Sequence, residues 1–324
     1  MRCIAVADYR ENPSEGINVV SRTLVDDLRA AGHEVRVLHP DRLLRGLPGL
    51  LAARPQMVLF THGPGPRTVA VSRLIRAASR ARIVWVATRP DLASCPDWLR
   101  GGRSAHVVLC NRRRPDLAAV APDADFVVQP IGIAPERMAH AADAPLLWPE
   151  LRRPGVPLAV HVGHLRRNRG LERLAEVKRR LGARIEVVVQ ASPHFEPAEG
   201  LVEELVAAGV HVRRGFVRSI ADVYRSADLY LFPASPELEG AIDLPLSVVE
   251  AMSCHCPVIA TQFGALPVAI GHEPGVTLVP AAGFVEAVAD WVARDPALRV
   301  RPAGLPPGLD AHRLARIVVE CVND

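Results

Sequence analysis

Lysine is almost missing from this 324-residue sequence: Lys178 stands alone among 39 basic residues. Arginine does the rest of the basic work, so an arginine where a motif calls for lysine reads as codon drift in a GC-rich genome. Aromatic residues make up 4% of the chain, too few to build stacking platforms for nucleic-acid bases. The net charge of +4 is spread over both halves, which excludes a nucleic-acid reader. That charge suits phosphate groups and weak peripheral contact with an anionic membrane surface. No apolar run approaches the ~18 residues needed to cross a bilayer. The opening run, Met1 to Asp8, is too short for a signal peptide and reads as a first strand, so a cytoplasmic protein is expected. Neither G-x-G-x-x-G nor a P-loop occurs, which removes the nicotinamide and NTPase fingerprints. The six cysteines, at 3, 95, 110, 254, 256 and 321, are scattered as in a reduced protein. Cys254-His255-Cys256 has no second ligand pair near it, and no metal is expected there. Asp123-Ala124-Asp125 has the D-x-D spacing of metal-using transferases but precedes a strand, and is taken as a chance match.

What is present is alternation. Short apolar runs at 2–7, 34–38, 57–60, 83–87, 107–110 and 126–129 predict strands. Ile17, Val20, Leu24 and Leu28 recur at helical spacing and predict a helix over 17–31, closed by Gly32. Residues 130–157 lose periodicity and read as a linker. The pattern then restarts, with strands expected at 158–162, 185–190, 228–232, 258–260 and 276–279 and a helix over 170–181. Two Rossmann-like, doubly wound parallel sheets follow from this order. The expected domains are 1–150, 151–305, and a last segment, 306–324, whose helix packs back on the first domain.

Four loops carry candidate chemistry. After the first strand, Gly16 opens a helix and lets a ligand approach the backbone; an ordinary strand-to-helix turn is the alternative. In His62-Gly63-Pro64-Gly65-Pro66-Arg67, His62 is a substrate contact and Arg67 a phosphate contact, unless the segment is a rigid turn. In Gly163-His164-Leu165-Arg166-Arg167-Asn168-Arg169-Gly170, three arginines and a histidine precede a helix N-terminus, a setting for a diphosphate or a solvated basic loop. Residues 236–252 gather Glu237, Glu239, Asp243 and Glu250 about a helix start. Backbone N–H groups of Leu246 and Ser247 suit phosphate oxygens, and the Glu250 carboxylate suits a ribose diol. Acids complementing a helix dipole are the plainer reading.

With these residues in view, the chain resembles glycosyltransferase family 4, the retaining Leloir enzymes of GT-B fold. "VGHLRRNRGLERL" looks like its phosphate-binding loop. "ADVYRSADLYLFPAS" resembles the strand before its donor site. "LPLSVVEAMSCHCPVIATQFGALP" is similar to its donor-binding helix, and "GINVVSRTLVDDLRAAGHEVRVL" to its first glycine loop and helix. The resemblance implies two Rossmann-like domains facing across a cleft. It implies a nucleotide-sugar donor held by the C-terminal half, and a small-molecule or lipid-linked acceptor. It assigns Gly163, Arg169, Leu246 and Ser247 to the diphosphate, Glu250 to the ribose, and Gly16 to the transferred group. His164, Arg169 and Asp243 then form the catalytic end. His62, Arg67 and Arg89 are acceptor-side candidates, and neither metal nor cofactor is implied.

The departures lie at the sugar end. His164 stands where the family has arginine, and Ile242 where the first glutamate of its E-x7-E motif is expected. Thr88-Arg89-Pro90 lacks the family's first-domain histidine. Ala191-Ser192-Pro193 replaces a glycine pair, and His255 a glycine. Two rival readings accompany the transferase: a non-catalytic or carbohydrate-binding protein of the same fold, and a sugar-nucleotide epimerase.

Overall fold

Five consecutive residues, Arg2–Val6 (β1), bury every side chain but the first, and the chain then enters helix α1, Gly16–Ala30. Val20, Leu24 and Leu28 fall on one face of α1 and are buried; Gly32, at φ +80°, ends the turn beyond it. The computed structural model describes residues 1–9, 16–63, 65–88, 106–109, 125–139, 145–193, 195–235 and 242–323. The first sheet continues with β2 (Glu34–Leu38), β3 (Met57–Phe60), β4 (Arg82–Val86), β5 (His106–Leu109) and β6 (Asp125–Val128). Helices α2 (Leu43–Ala52) and α3 (Pro66–Ala78) lie between its early strands. All pairs are parallel, in the order β2-β1-β3-β4-β5-β6.

The second sheet contains β7 (Leu158–Gly163), β8 (Glu186–Ala191), β9 (His211–Arg214), β10 (Leu229–Phe232), β11 (Val258–Thr261) and β12 (Val276–Val279). It is also wholly parallel, in the order β12-β11-β10-β7-β8-β9. Its helices are α4 (Glu172–Leu181), α5 (Leu201–Ala207), α6 (Ile220–Arg225), α7 (Leu246–Ser253), α8 (Leu266–Ala269) and α9 (Phe284–Ala293). Residues of β7, β8, β10, α4 and α9 share one core, with Leu171, Leu174, Val187, Val189, Leu231 and Phe284 fully buried. The lone lysine is a fixture of this core's edge: Lys178 Nζ reaches Gly182 O, Ile185 O and Glu186 Oε2 at 3.0, 2.7 and 2.9 Å.

Contacts divide the chain into two units. The first is Met1–Ala134 with Ile242–Leu244 and Pro307–Asp324; the second is Pro135–Ala241 with Pro245–Pro306. The passage from one to the other falls within the aperiodic stretch 130–157. The last helix, α10 (Ala311–Asn323), belongs to the first unit, where it packs on α1 and His312 Nδ1 meets Asp27 Oδ1 at 2.8 Å.

Strand β9 had no counterpart among the expected strands. Its sequence HVRR has no apolar run, and it forms because β8 offers it a ladder at the sheet edge, where Arg213 and Arg214 stay exposed.

Candidate functional site

In an open parallel sheet, ligands bind beyond the carboxyl ends of the strands where the strand order reverses. In the second unit that point lies between β7 and β10. The loop after β7 is the arginine-rich segment 163–170, and it is tightly built. Arg166 N donates to His164 O at 2.9 Å, and a short 3-10 turn over Arg167–Arg169 closes on Gly170. Gly170 has φ +69°, and a Cβ there would lie 2.0 Å from Pro233 O, at the end of β10. Glycine is therefore required by both backbone conformation and contact. Gly163 is constrained too: its Cβ would meet His161 Nε2 at 2.8 Å.

The loop's cations sort by partner. Arg167 is tied to Glu204 at 3.1 Å and to Glu199 O at 3.1 Å on the exposed surface. Arg166 lies over the Phe195 ring at 4.5 Å, and the His164 ring sits 4.5 Å from the same phenyl. Arg169 is half-buried at the foot of the loop, next to Gly170. Phe195, beyond β8, was not among the expected site residues; it sets the positions of two of the loop's basic groups.

Helix α7 begins at Leu246, with Pro245 as its N-cap. The first-turn N–H groups, those of Leu246 and Ser247, have no acceptor inside the helix and suit an anion. The Ser247 hydroxyl hydrogen-bonds the Tyr230 oxygen, whose own proton points toward Val162 O at 3.5 Å. The end of β7, the body of β10 and the start of α7 are thus stitched together. One turn on, Glu250 is 5% exposed. Its Oε1 accepts from Arg137 Nε at 3.0 Å and its Oε2 from the Tyr224 hydroxyl at 2.9 Å. Burial, then the Glu250 charge, pushes the Tyr224 phenol well up, which keeps it a donor. The carboxylate is fixed rather than loose, and each oxygen keeps a second lone pair for a hydroxyl. The sequence offers no sign of Arg137 in this role.

The second unit therefore gathers Gly163, His164, Arg169, Leu246, Ser247 and Glu250 around one switch point. Asp243 groups with the first unit, is 7% exposed, and gives its backbone N–H to Thr88 O at 3.1 Å. In the first unit, Gly16 opens α1 as expected. His62 Nδ1 is 3.2 Å from Thr61 Oγ1. Gly63, at φ +90°, and Gly65, whose N–H donates to Thr68 Oγ1 at 3.0 Å, make the tight turn that starts α3; Arg67 is exposed on its first turn. Arg89, Glu237 and Glu239 lie outside the described residues. Among the described residues, no group of three or more His, Cys, Asp or Glu side chains is placed to hold a metal ion. No described helix is long and apolar enough to cross a membrane.

Residues 156–294 match the family model described as Glycosyl transferases group 1. D-inositol 3-phosphate glycosyltransferase of Saccharomonospora viridis is 30% identical over 138 residues, 40% of this chain and 28% of that protein. The chain thus spans less than a third of that curated relative. Sucrose-phosphate synthase from Thermosynechococcus elongatus superposes with a TM-score of 0.70 at 16% identity, over 100% of this chain and 97% of the other. Anabaena HepE, solved in complex with UDP and glucose, gives 0.67 at 13%, over 99% and 97%. At such identities the likeness establishes the fold, the GT-B class of two Rossmann-like domains. The family match covers the loop 163–170, Glu250 and everything between.

Proposed function

We propose that this chain is a retaining glycosyltransferase that moves a sugar from a nucleoside diphosphate to an acceptor hydroxyl or amine. The observation that carries the reading is the pairing, at one switch point, of a glycine-bounded arginine loop with a carboxylate one turn into the next helix. The diphosphate would lie between the Arg169 side of the loop and the first-turn N–H groups of α7. Glu250 would take the ribose hydroxyls. HepE's complex with UDP and glucose supports a donor of this kind.

In the step itself, the bond from the sugar's anomeric carbon to the diphosphate oxygen breaks and a bond from that carbon to the acceptor forms. The acceptor's proton passes to an oxygen of the departing diphosphate. The chain's task is to stabilise the negative charge that grows there, with Arg169, His164 and the α7 N-terminus. This needs no protein base, so the buried position of Asp243 does not obstruct it, and it needs no metal. Gly16, His62, Arg67 and Arg89 remain the assignments for the transferred group and its acceptor, small or lipid-linked. A cytoplasmic site of action and weak attraction to an anionic membrane belong to the same proposal.

The test is a thermal-shift panel of UDP, GDP, ADP and dTDP with their sugars, since a ligand that binds the folded state alone raises its melting temperature. The donor that binds is then incubated with acceptors and the anomeric configuration of the product read by NMR. No shift with any nucleotide would overturn the reading. Binding without transfer or hydrolysis would leave a binding protein in its place, and an epimerised donor an epimerase.

A further inference from the structure

Every other β7 side chain facing the core is apolar or absent, but His161 places an imidazole there, 1% exposed. The β7–β10 ladder runs through Ala159–Leu229 and Val160–Tyr230. Next along β10, the Leu231 carbonyl is taken by His161 Nδ1 at 2.9 Å. A carbonyl can only accept, so the proton sits on Nδ1 and Nε2 carries a lone pair. Burial holds the ring neutral, pushing its pKa down to about 4, and the nearby charges of Arg169 and His164 act in the same direction. The Tyr230 and Phe232 rings, with centroids 6.4 and 6.3 Å away, hold the imidazole in place.

Nε2 is buried and has no hydrogen-bond partner among the described residues. A buried acceptor left in this state is costly, and a valine, as at the neighbouring positions, would avoid that cost. Its direction gives the reason for its presence. Nε2 lies against Gly163, at the point where the phosphate loop leaves the strand, and the charge of Arg169 in the same loop is near enough to bear on the ring.

We propose that His161 is a positioning residue for the diphosphate: its Nε2 accepts a hydrogen bond from the Arg169 guanidinium when that side chain turns to meet the phosphates. The inference rests on the reading of 163–170 as the phosphate loop. It assigns a role to a strand residue outside that loop, and it explains why Gly163 must lack a side chain.

The experiment is calorimetric titration of UDP, GDP, ADP and dTDP, each beside its free nucleoside, into the wild-type chain and two variants. His161→Asn keeps a donor where Nδ1 stood and deletes the acceptor. His161→Gln places an oxygen where Nε2 stood. The asparagine variant should lose the preference for diphosphate over nucleoside by about tenfold, and the glutamine variant should keep it to within about twofold. In an Arg169→Met background, His161→Asn should change nothing further, because the two residues act as one unit. Should His161→Asn fail to fold, His161→Phe also lacks the acceptor, packs against the same rings, and carries the same expectation. An unchanged preference in the variant lacking the acceptor, an equal loss for the nucleoside, or additivity with Arg169→Met would overturn the proposal. If the wild-type chain binds none of the four nucleotides, the phosphate-loop reading falls and takes this inference with it.

Discussion

Arg137 donates its Nε–H to Glu250 Oε1 at 3.0 Å, joining residues 113 positions apart. The Glu250 side chain is 7% exposed and that of Arg137 29%. Removing one partner of such a pair strands a buried charge. Arg137→Met is expected to lower unfolding free energy by about 2 kcal/mol, less than for a fully buried pair because water reaches the arginine. Adding Glu250→Gln should recover part of that loss. Urea unfolding of the two variants checks both statements; equal stabilities would show that Arg137 contributes nothing through Glu250.

The ribose assignment makes a sharper demand on the same carboxylate. Glu250→Ala should weaken binding of the preferred nucleotide by at least about tenfold, the worth of a hydrogen bond to a charged group. The same variant should not discriminate against a 2′,3′-dideoxy nucleotide relative to wild type, since no diol remains to be lost. Unchanged affinity for the ribonucleotide would sink the assignment.

Gly170 tests the loop itself. An alanine methyl there would lie 2.0 Å from Pro233 O, with the backbone held at φ +69°. Gly170→Ala is expected to cost about 2 kcal/mol or more, and to reduce diphosphate affinity without moving nucleoside affinity, because the loop must shift away from β10. Thermal melts and titration with both ligands decide it.

The sequence disclosed much of this architecture and little of its wiring. Apolar runs marked β1, β3, β4, β7 and β10, because strands buried on both faces must be apolar throughout. The arginine loop was legible because glycine at both ends and cations between are local features. Arg137 and Tyr224 were not, since they reach Glu250 only through the order of strands in the sheet, which no local periodicity encodes. Phe195 went unnoticed for the same reason: it lies beyond β8, and its partners His164 and Arg166 beyond β7. His161 was visible as one polar residue in an apolar run, but its tautomer depends on a carbonyl 70 residues away.

Acid stability should report on that histidine. The folded-state pKa of about 4 lies below the ordinary 6.5. Between those values the unfolded chain binds a proton that the folded chain refuses, so stability falls as pH drops from about 6.5 toward 4, by about 3 kcal/mol in total. His161→Asn should flatten that part of the stability profile. Parallel slopes for wild type and variant would place the ring's titration elsewhere.

Helix α7 ends at Ser253 with Cys254 as its C-cap, and His255 follows at φ +56°, a conformation that glycine adopts freely. His255 Nδ1 lies 3.0 Å from Pro302 O, which anchors the side chain in return. His255→Ala keeps the strained backbone and loses the anchor, whereas His255→Gly loses the anchor but relieves the backbone. Glycine should therefore be more stable than alanine here by about 1 kcal/mol, the reverse of their order inside a helix. Denaturation midpoints of the two variants give the sign directly.

The return of Pro307–Asp324 to the first unit imposes an order of events on biosynthesis. Residues 135–306 leave the ribosome with all six strands of their own sheet in hand. The first unit, begun earlier, lacks α10, the partner of α1, until residues 311–323 emerge. The first unit is thus completed only after residues 135–306 have been made, and a nascent chain stalled before residue 307 would display to chaperones the face of α1 that α10 covers.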